Sequence, residues 1–410
     1  MGKVIVIGAG PAGIMSAIAA SEKNEVILIE KNPKLGKKLF ITGKGRCNIT
    51  NAKDISEFFD YIPTNPYFLY SSLYTYTNID TINFFEGQGI KLKTERGDRV
   101  FPQSDKSSDI LKGFEKAIIE KNIKVVLNTE FLGFVMDESN TAIKAINTSN
   151  GKMIADHYII CTGGVSYPQT GSTGEALRYC EHIGHSIKEL KPSLIPLVCK
   201  ESWAPELQGL SLKNVELKII NEKNKVFYKN FGEMLFTHYG ITGPLVLSGS
   251  SFVTKNLEKN KLFAVIDLKP ALTIEELDKR IQKDFSKFIN KAFKNSLNEL
   301  LPNKLIDVIV KLSQIDPDKK VNLITRDERK NLVKLLKELK LSITGVRPIS
   351  EAIVTSGGID TKEIDPSTMN SKMISNLSFA GEVIDVDAFT GGFNIQIALS
   401  TGYLAGKSIK

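Results

Sequence analysis

The sequence predicts an α/β protein built on a parallel sheet, with a β-rich piece and a helical piece set into it. Three observations predict this. The chain opens with a strand, a glycine turn, a helix and a second strand in immediate succession. Beyond Lys191-Pro192 the texture changes to alternating apolar and polar residues. The last seventy residues return to glycine-rich α/β texture.

Lys3–Ile7 is a Val/Ile run suited to a parallel strand buried on both faces. Gly8-Ala9-Gly10-Pro11-Ala12-Gly13 follows, and Ala12–Ser21 has the small apolar residues of a helix packed tightly on a sheet. Glu25–Ile29 is the second buried strand and ends at Glu30. Helical patterning recurs around Thr81–Gly87 and Ser107–Lys121, and strand patterning at Lys124–Leu127, Phe131–Met136 and Tyr158–Cys161. The last of these runs into Thr162-Gly163-Gly164, another strand-to-loop junction.

Val215–Ile219 and Lys225–Tyr228 alternate as antiparallel strands do. From about Ile274 to Leu339, Leu, Ile and Phe recur at spacings of three and four. We therefore expect a discontinuous domain of residues 1–191 and 345–410, a β-rich domain of 192–272 and a helical domain of 273–344.

Composition excludes several classes. At 410 residues the chain is too long for one ordinary core. Its 42% hydrophobic and 24% charged content is globular rather than disordered. No apolar run reaches the roughly 18–20 residues of a membrane span. Cys47, Cys161, Cys180 and Cys199 form no CxxC pair, which excludes a zinc ribbon and a disulfide scaffold. His157, His182 and His185 form no metal-ligand pattern. We expect a cytoplasmic protein with no metal and no membrane contact. The net charge of +8 is concentrated: residues 275–340 hold 16 Lys+Arg against 11 Asp+Glu. That excess suits an RNA phosphate surface, and equally an ordinary solvated helix face. Phe285, Phe288 and Phe293 in this stretch have the spacing of a core stripe.

Gly8-x-Gly10-x-x-Gly13 stands in the full context of a dinucleotide fingerprint, with Glu30 closing the next strand. Gly8 permits the tight turn, Gly10 lets the backbone approach a pyrophosphate, and Gly13 lets helix and strand pack closely. Ala12 begins the helix whose N-terminus faces the phosphates, and Glu30 accepts from an adenosine ribose. A second motif at the far end of the chain favours FAD over NAD alone. Leu377–Gly381 reads as a strand ending at Glu382, an acid for the ribityl or pyrophosphate region. Gly391-Gly392-Phe393-Asn394-Ile395 then opens a helix whose N-terminus would stabilise negative charge on a reduced flavin. A third loop, Gly43-Lys44-Gly45-Arg46-Cys47-Asn48-Ile49-Thr50-Asn51, has the Gly, Asn and Thr of a loop that wraps phosphates, with Lys37, Lys38 and Arg46 as cations. Lys31, Phe131, Thr162, Gly163 and Gly164 complete the candidate FAD contacts. No second GxGxxG stands ready for NADH or NADPH, the expected reductant.

On these motifs the sequence resembles the BaiN/RdsA-type FAD-dependent oxidoreductases, also called aminoacetone-oxidase-like. The resemblance runs through Gly36-Lys37-Lys38-Leu39, Gly43–Asn51, Arg99-Val100-Phe101-Pro102 and Met234–Pro244. It continues through Val354-Thr355-x-Gly357-Gly358, Gly381–Asp387 and Thr390–Gln396, nearly the whole chain. Phe393 stands where the family commonly has Tyr, and Ala388-Phe389 replaces a Gly-Arg-like pair.

The resemblance implies a glutathione-reductase-like Rossmann FAD domain and reduction of an electron-poor C=C bond, with the flavin ring between that domain and the β-rich one. A uridine of ribosomal RNA is the leading substrate, docked through 275–340, and a small enone such as a 3-dehydro-bile acid is the alternative. It also places His238, in Phe236-Thr237-His238-Tyr239-Gly240, toward the flavin. His238 and Cys47 are the candidate proton donors, each weighed against a packing role. Asp385 and Asp387 read as acids holding ribityl hydroxyls. A flavin-dependent sensor without turnover, and an amine oxidase, are the competing classes.

Overall fold

Five parallel strands form the sheet that carries both ends of the chain. Its order is Leu377–Phe379, His157–Ile160, Lys3–Ile7, Glu25–Ile29 and Lys124–Val126. The structure, a computed structural model, describes residues 1–410 except the side chain of Lys44. Strand Lys3–Ile7 sits at the centre because Val4, Ile5, Val6 and Ile7 are all buried, as a strand covered on both faces requires.

Helix Pro11–Ala20 covers one face and packs along the C-terminal helix Phe393–Lys407. Glycines make that approach possible. A Cβ at Gly402 or Gly406 would overlap the carbonyl oxygens of Ala12 and Ser16. A small three-stranded sheet joins Phe131–Met136, Ile143–Thr148 and Gly151–Met153, and another joins Thr50–Asn51, Arg99–Pro102 and Leu92–Glu95. All of this lies in one compact unit, Met1–Ser193 with Pro348–Lys410.

The second unit, Leu194–Arg347, is a closed barrel of six antiparallel strands. Its long hairpin pairs Ser211–Asn221 with Val226–Thr237, and helix Pro244–Asn256 follows the short strand Gly240–Thr242. Strands Leu262–Asp267 and Leu339–Val346 are adjacent in the barrel, and the helical segment is an excursion between them. The chain has therefore returned to the barrel by Leu339, inside the segment expected to be helical domain up to 344.

Three helices make the excursion: Ile274–Lys287, Asn303–Ser313 and Arg326–Lys337. The first and third start with capping boxes, Thr273 with Glu276 and Thr325 with Glu328. Each buries one apolar stripe, such as Leu277, Ile281 and Phe285. Phe285 and Phe293 are buried, whereas Phe288 is half-buried beneath the Lys291 ammonium. Among the described residues no helix is long and apolar enough to cross a membrane.

Candidate functional site: a two-ended glycine cradle

The turn after the first strand uses its glycines for different reasons. Gly8 has φ +100°, its N–H donates to Ile29 O at 2.9 Å, and a Cβ there would lie 2.7 Å from Cys161 O. At Gly13 a Cβ would overlap the carbonyl oxygen of Gly8. Gly10 is different: its φ is −80°, open to any residue, and nothing lies within 4 Å of a Cβ built on it. The space beside Gly10 is therefore free for a ligand's close approach. Helix Pro11–Ala20 starts there without a side-chain cap, which leaves first-turn N–H groups facing that space.

Glu30, at the tip of the second strand, orders the turn. Its carboxylate accepts from Ala9 N at 2.8 Å, Asn32 N at 2.9 Å and Asn32 Nδ2 at 2.7 Å. A carboxylate has about four acceptor positions, so one remains for a ribose hydroxyl. Thr129 N donates to Glu30 O at 2.9 Å and brings the strand of Phe131 alongside. Phe131 itself is buried against Phe134 and Tyr179 at centroid distances of 4.9 and 5.3 Å.

The structure brings the loop 43–51 against the start of the C-terminal helix. Asn51 Nδ2 donates to Gly391 O at 3.0 Å, and Thr50 Oγ1 donates to Gln396 Oε1 at 2.6 Å. Gly392, with φ +100°, sits so close to Thr50 that a Cβ would overlap its carbonyl. The helix begins at Phe393, again without a side-chain cap. Phe393 is buried, stacked on Tyr61 at 4.5 Å and edge-on to Phe58 at 4.9 Å. Asn394 ties the loop before it, exchanging hydrogen bonds with Ala388 N at 2.9 Å and Ala388 O at 2.7 Å. Asn48 Oδ1 is buried and without a partner among the described residues. A buried acceptor costs free energy until a donor reaches it. This oxygen and the open space at Gly10 are the two observations here that fit a bound dinucleotide.

The cations behave otherwise. Lys38 Nζ donates to Glu382 Oε2 at 2.7 Å and to Ser166 Oγ at 2.6 Å. Glu382 also accepts from Thr355 N at 2.8 Å. Arg46 bonds Glu95 and Asp105 and lies 4.2 Å over the Phe101 ring. Its guanidinium holds the Glu95 carboxyl below the usual carboxylate range; Asp105 is held low by Lys93 and Arg46 together. Lys31 donates to Thr173 and Glu175, and Lys37 to Asn32 Oδ1 at 3.4 Å. Gly163 and Gly164 follow strand His157–Ile160, where a Cβ on Gly164 would collide with Thr355; Thr162 packs against the turn at Gly8. Gly381 N donates to Thr401 Oγ1 at 3.0 Å. Gly43 and Gly45 both take positive φ, and the space around Gly45 is open. Ile395 is half-buried one residue before Gln396.

Cys47 is fully buried among the core residues, and burial pushes its thiol up to about 12. That burial suits the packing role weighed for it. His238 is exposed at the turn between Val226–Thr237 and Gly240–Thr242, with its ring 4.7 Å from Tyr239. Asp387 is also buried, but its carboxylate accepts from Thr64, from Ser356 Oγ at 2.9 Å and from Ser193 Oγ at 2.6 Å. Three hydroxyls thus occupy the acid expected to hold ribityl groups. Gln396, which the sequence marks only as the end of a motif and gives no role, also accepts from Thr81 Oγ1 at 2.8 Å and donates to Ser400. The available signal was a Gln set between Ile395 and Ile397 on a buried helix face.

Residues 2–408 match the family described as HI0933-like protein Rossmann domain. The chain is 30% identical to a ribosomal RNA dihydrouridine synthase of Escherichia coli, over 99% of this chain and 97% of that one. It is 28% identical to a 3-dehydro-bile acid delta(4,6)-reductase of Clostridium scindens, over 100% and 99% of the two chains. A 3-ketosteroid delta1-dehydrogenase from Sterolibacterium denitrificans superposes with a TM-score of 0.54 at 13% identity, over 99% of this chain and 98% of its own, and shares the fold. The chain belongs to the HI0933-like Rossmann family and is an FAD-dependent oxidoreductase.

Proposed function

We propose that the protein reduces an electron-poor C=C bond, with a uridine of ribosomal RNA as substrate, dihydrouridine as product and NADH or NADPH as reductant. The relatives' names support the reaction class, since a dihydrouridine synthase and a delta(4,6)-reductase each saturate such a bond. Bound FAD supplies the two-electron chemistry. The chain's own residues supply its holding. The N–H groups at the start of Pro11–Ala20 face the diphosphate, Glu30 the adenosine ribose and Asn48 Oδ1 a cofactor donor. His238 donates the proton to the second carbon.

One observation favours RNA over a small enone. In the basic segment many cations are neutralised within the protein, among them Arg329 by Asp278, Lys319 by Glu328 and Lys287 by Glu299. Lys283, Lys320, Lys330 and Lys334 are exposed and carry no ion pair among the described residues. Lys330 and Lys334 stand one turn apart on Arg326–Lys337, opposite its buried Leu332, Val333 and Leu336. Such a row suits phosphate contact.

The test is mass spectrometry of ribosomal RNA from cells with and without the protein, with anaerobic reduction of the flavin by NADH and NADPH. Loss of one dihydrouridine on deletion is expected. Unchanged RNA, with turnover of a 3-keto-4-ene steroid by the purified protein, would establish the small-enone alternative instead.

A further inference from the structure

Residues 54–90 are unlike the rest of this basic chain. Across these 37 positions there is no Lys or Arg, while Asp54, Glu57, Asp60, Asp80 and Glu86 are acidic. The same stretch holds five of the chain's eleven tyrosines. Nothing in the cofactor cradle accounts for three of them.

Local structure puts those three on one outward face. Pro66–Leu69 is a tight turn that feeds helix Tyr70–Thr75. Leu69 and Leu73 are fully buried and fix the inner side. Tyr67, Tyr70 and Tyr74, spaced by three and four, take the outer side with 84%, 56% and 43% exposure. A helix facing water ordinarily presents polar residues there.

The rings are already organised. Tyr70 and Tyr74 lie 4.6 Å apart, and Phe59 stacks on both, at 5.9 Å from Tyr70 and 6.3 Å from Tyr74. Phe59 belongs to Ile55–Tyr61, which also carries the exposed Glu57 and Asp60. Glu57 shares Lys53, whereas Asp60 has no ion pair among the described residues. A pre-stacked aromatic face loses little side-chain freedom on binding, and isolated exposed rings would not need to be stacked.

The chemistry selects the occupant. Tyrosine faces attract cations through the ring quadrupole, and the exposed carboxylates on the segment that carries Phe59 add to that attraction. The same carboxylates repel phosphates, which argues against RNA despite the aptitude of tyrosine for base stacking. We propose that this face binds a lysine- and arginine-rich segment of a partner polypeptide. This surface is independent of the substrate reading above.

The experiment uses the full-length, FAD-loaded protein and a fluorescent peptide of alternating arginine and glycine, followed by anisotropy at several salt concentrations. A chain of net charge +8 should repel such a peptide unless a local face captures it. Binding by the parent protein is expected, weakened about tenfold or more by Tyr70→Ser/Tyr74→Ser and by Glu57→Gln/Asp60→Asn, with flavin absorbance and melting temperature retained. No binding by the parent, or equal binding by both variants, overturns the proposal. So does single-stranded RNA binding lost with the tyrosines, which would make the face a base platform. A dimer in sedimentation that the tyrosine variant abolishes would show that a second copy is the occupant, and also overturns it.

Discussion

The glycine turn at Gly8–Gly13 and the loop Gly43–Asn51 carry the two richest motifs of the chain, and they treat a ligand in opposite ways. The turn keeps open space at Gly10 beside an uncapped helix start. The cations in and before the loop, which sequence alone assigns to phosphates, are engaged by the protein's own carboxylates, Arg46 by Glu95 and Asp105 and Lys38 by Glu382. What the loop keeps open is a neutral oxygen, Asn48 Oδ1. Backbone geometry and an amide oxygen stay open here, while Lys38 and Arg46 are paired with carboxylates of the protein.

The largest expected effect separates two glycines within the turn. Gly13→Ala forces a methyl group into the Gly8 carbonyl, which must push helix Pro11–Ala20 off the sheet. We expect a loss of about 3 kcal/mol or more in chemical denaturation, at the upper end for overpacking. Full stability in this variant would show that the turn relaxes freely, and the contrast with Gly10 would disappear.

Acid provides a probe of the same sheet away from both motifs. His157 sits on the strand beside the first, its Nε2 2.7 Å from Ser378 Oγ, and burial pushes its pKa down to about 4. The unfolded chain takes up that proton near the ordinary value of about 6.5, the folded chain only near 4. Stability is therefore constant above pH 6.5 on this account and falls as the pH drops from 6.5 toward 4, by on the order of 3 kcal/mol. His185, also lowered by burial, adds in the same direction. His157→Gln should flatten the decline in a pH series of urea midpoints, and an unchanged slope would assign the decline to other groups.

Smaller effects test the open positions. Gly10→Ala meets no protein atom, so stability should hold within about 1 kcal/mol, the helix-start change being conformationally mild. FAD affinity should fall by about ten- to a hundredfold, because the methyl occupies the approach. Asn48→Ala should weaken FAD by about tenfold while leaving stability level or slightly higher, since it removes an unsatisfied buried acceptor. Equilibrium titration of apoprotein, read by flavin fluorescence, measures both. Loss of fold with either substitution would mean that these positions serve the protein itself.

Legibility followed the same division. The βαβ turn could be read because its constraints are local: Gly8, Gly13 and Glu30 act within thirty residues of one another. The return of the C-terminal strand Leu377–Phe379 to the same sheet was visible as matched texture at both ends. The partners of the cations were not visible. Glu95 and Asp105 lie 49 and 59 residues from Arg46, and Glu382 lies 344 residues from Lys38. Composition reports a charge, and only the fold reports whether a neighbour has neutralised it. The Asp387 cluster escaped for the same reason, since Thr64, Ser193 and Ser356 converge on it from three separate segments.

Arg46 therefore gives the subtlest prediction. Its ion pairs are partly exposed, and its guanidinium rests on Phe101. Surface pairs of this kind contribute little and are screened by salt. Arg46→Gln should change the FAD dissociation constant by less than about twofold and make it no more salt-dependent, because that charge is already engaged by Glu95 and Asp105. Carboxyl NMR should show Glu95 titrating closer to its ordinary range, with Asp105 shifting less because Lys93 still holds it. A large loss of FAD affinity, with a reduced salt slope, would mean that Arg46 leaves its carboxylates when the cofactor binds. The loop would then be a charge relay that FAD binding rearranges, and its difference from the glycine turn would be one of timing rather than chemistry.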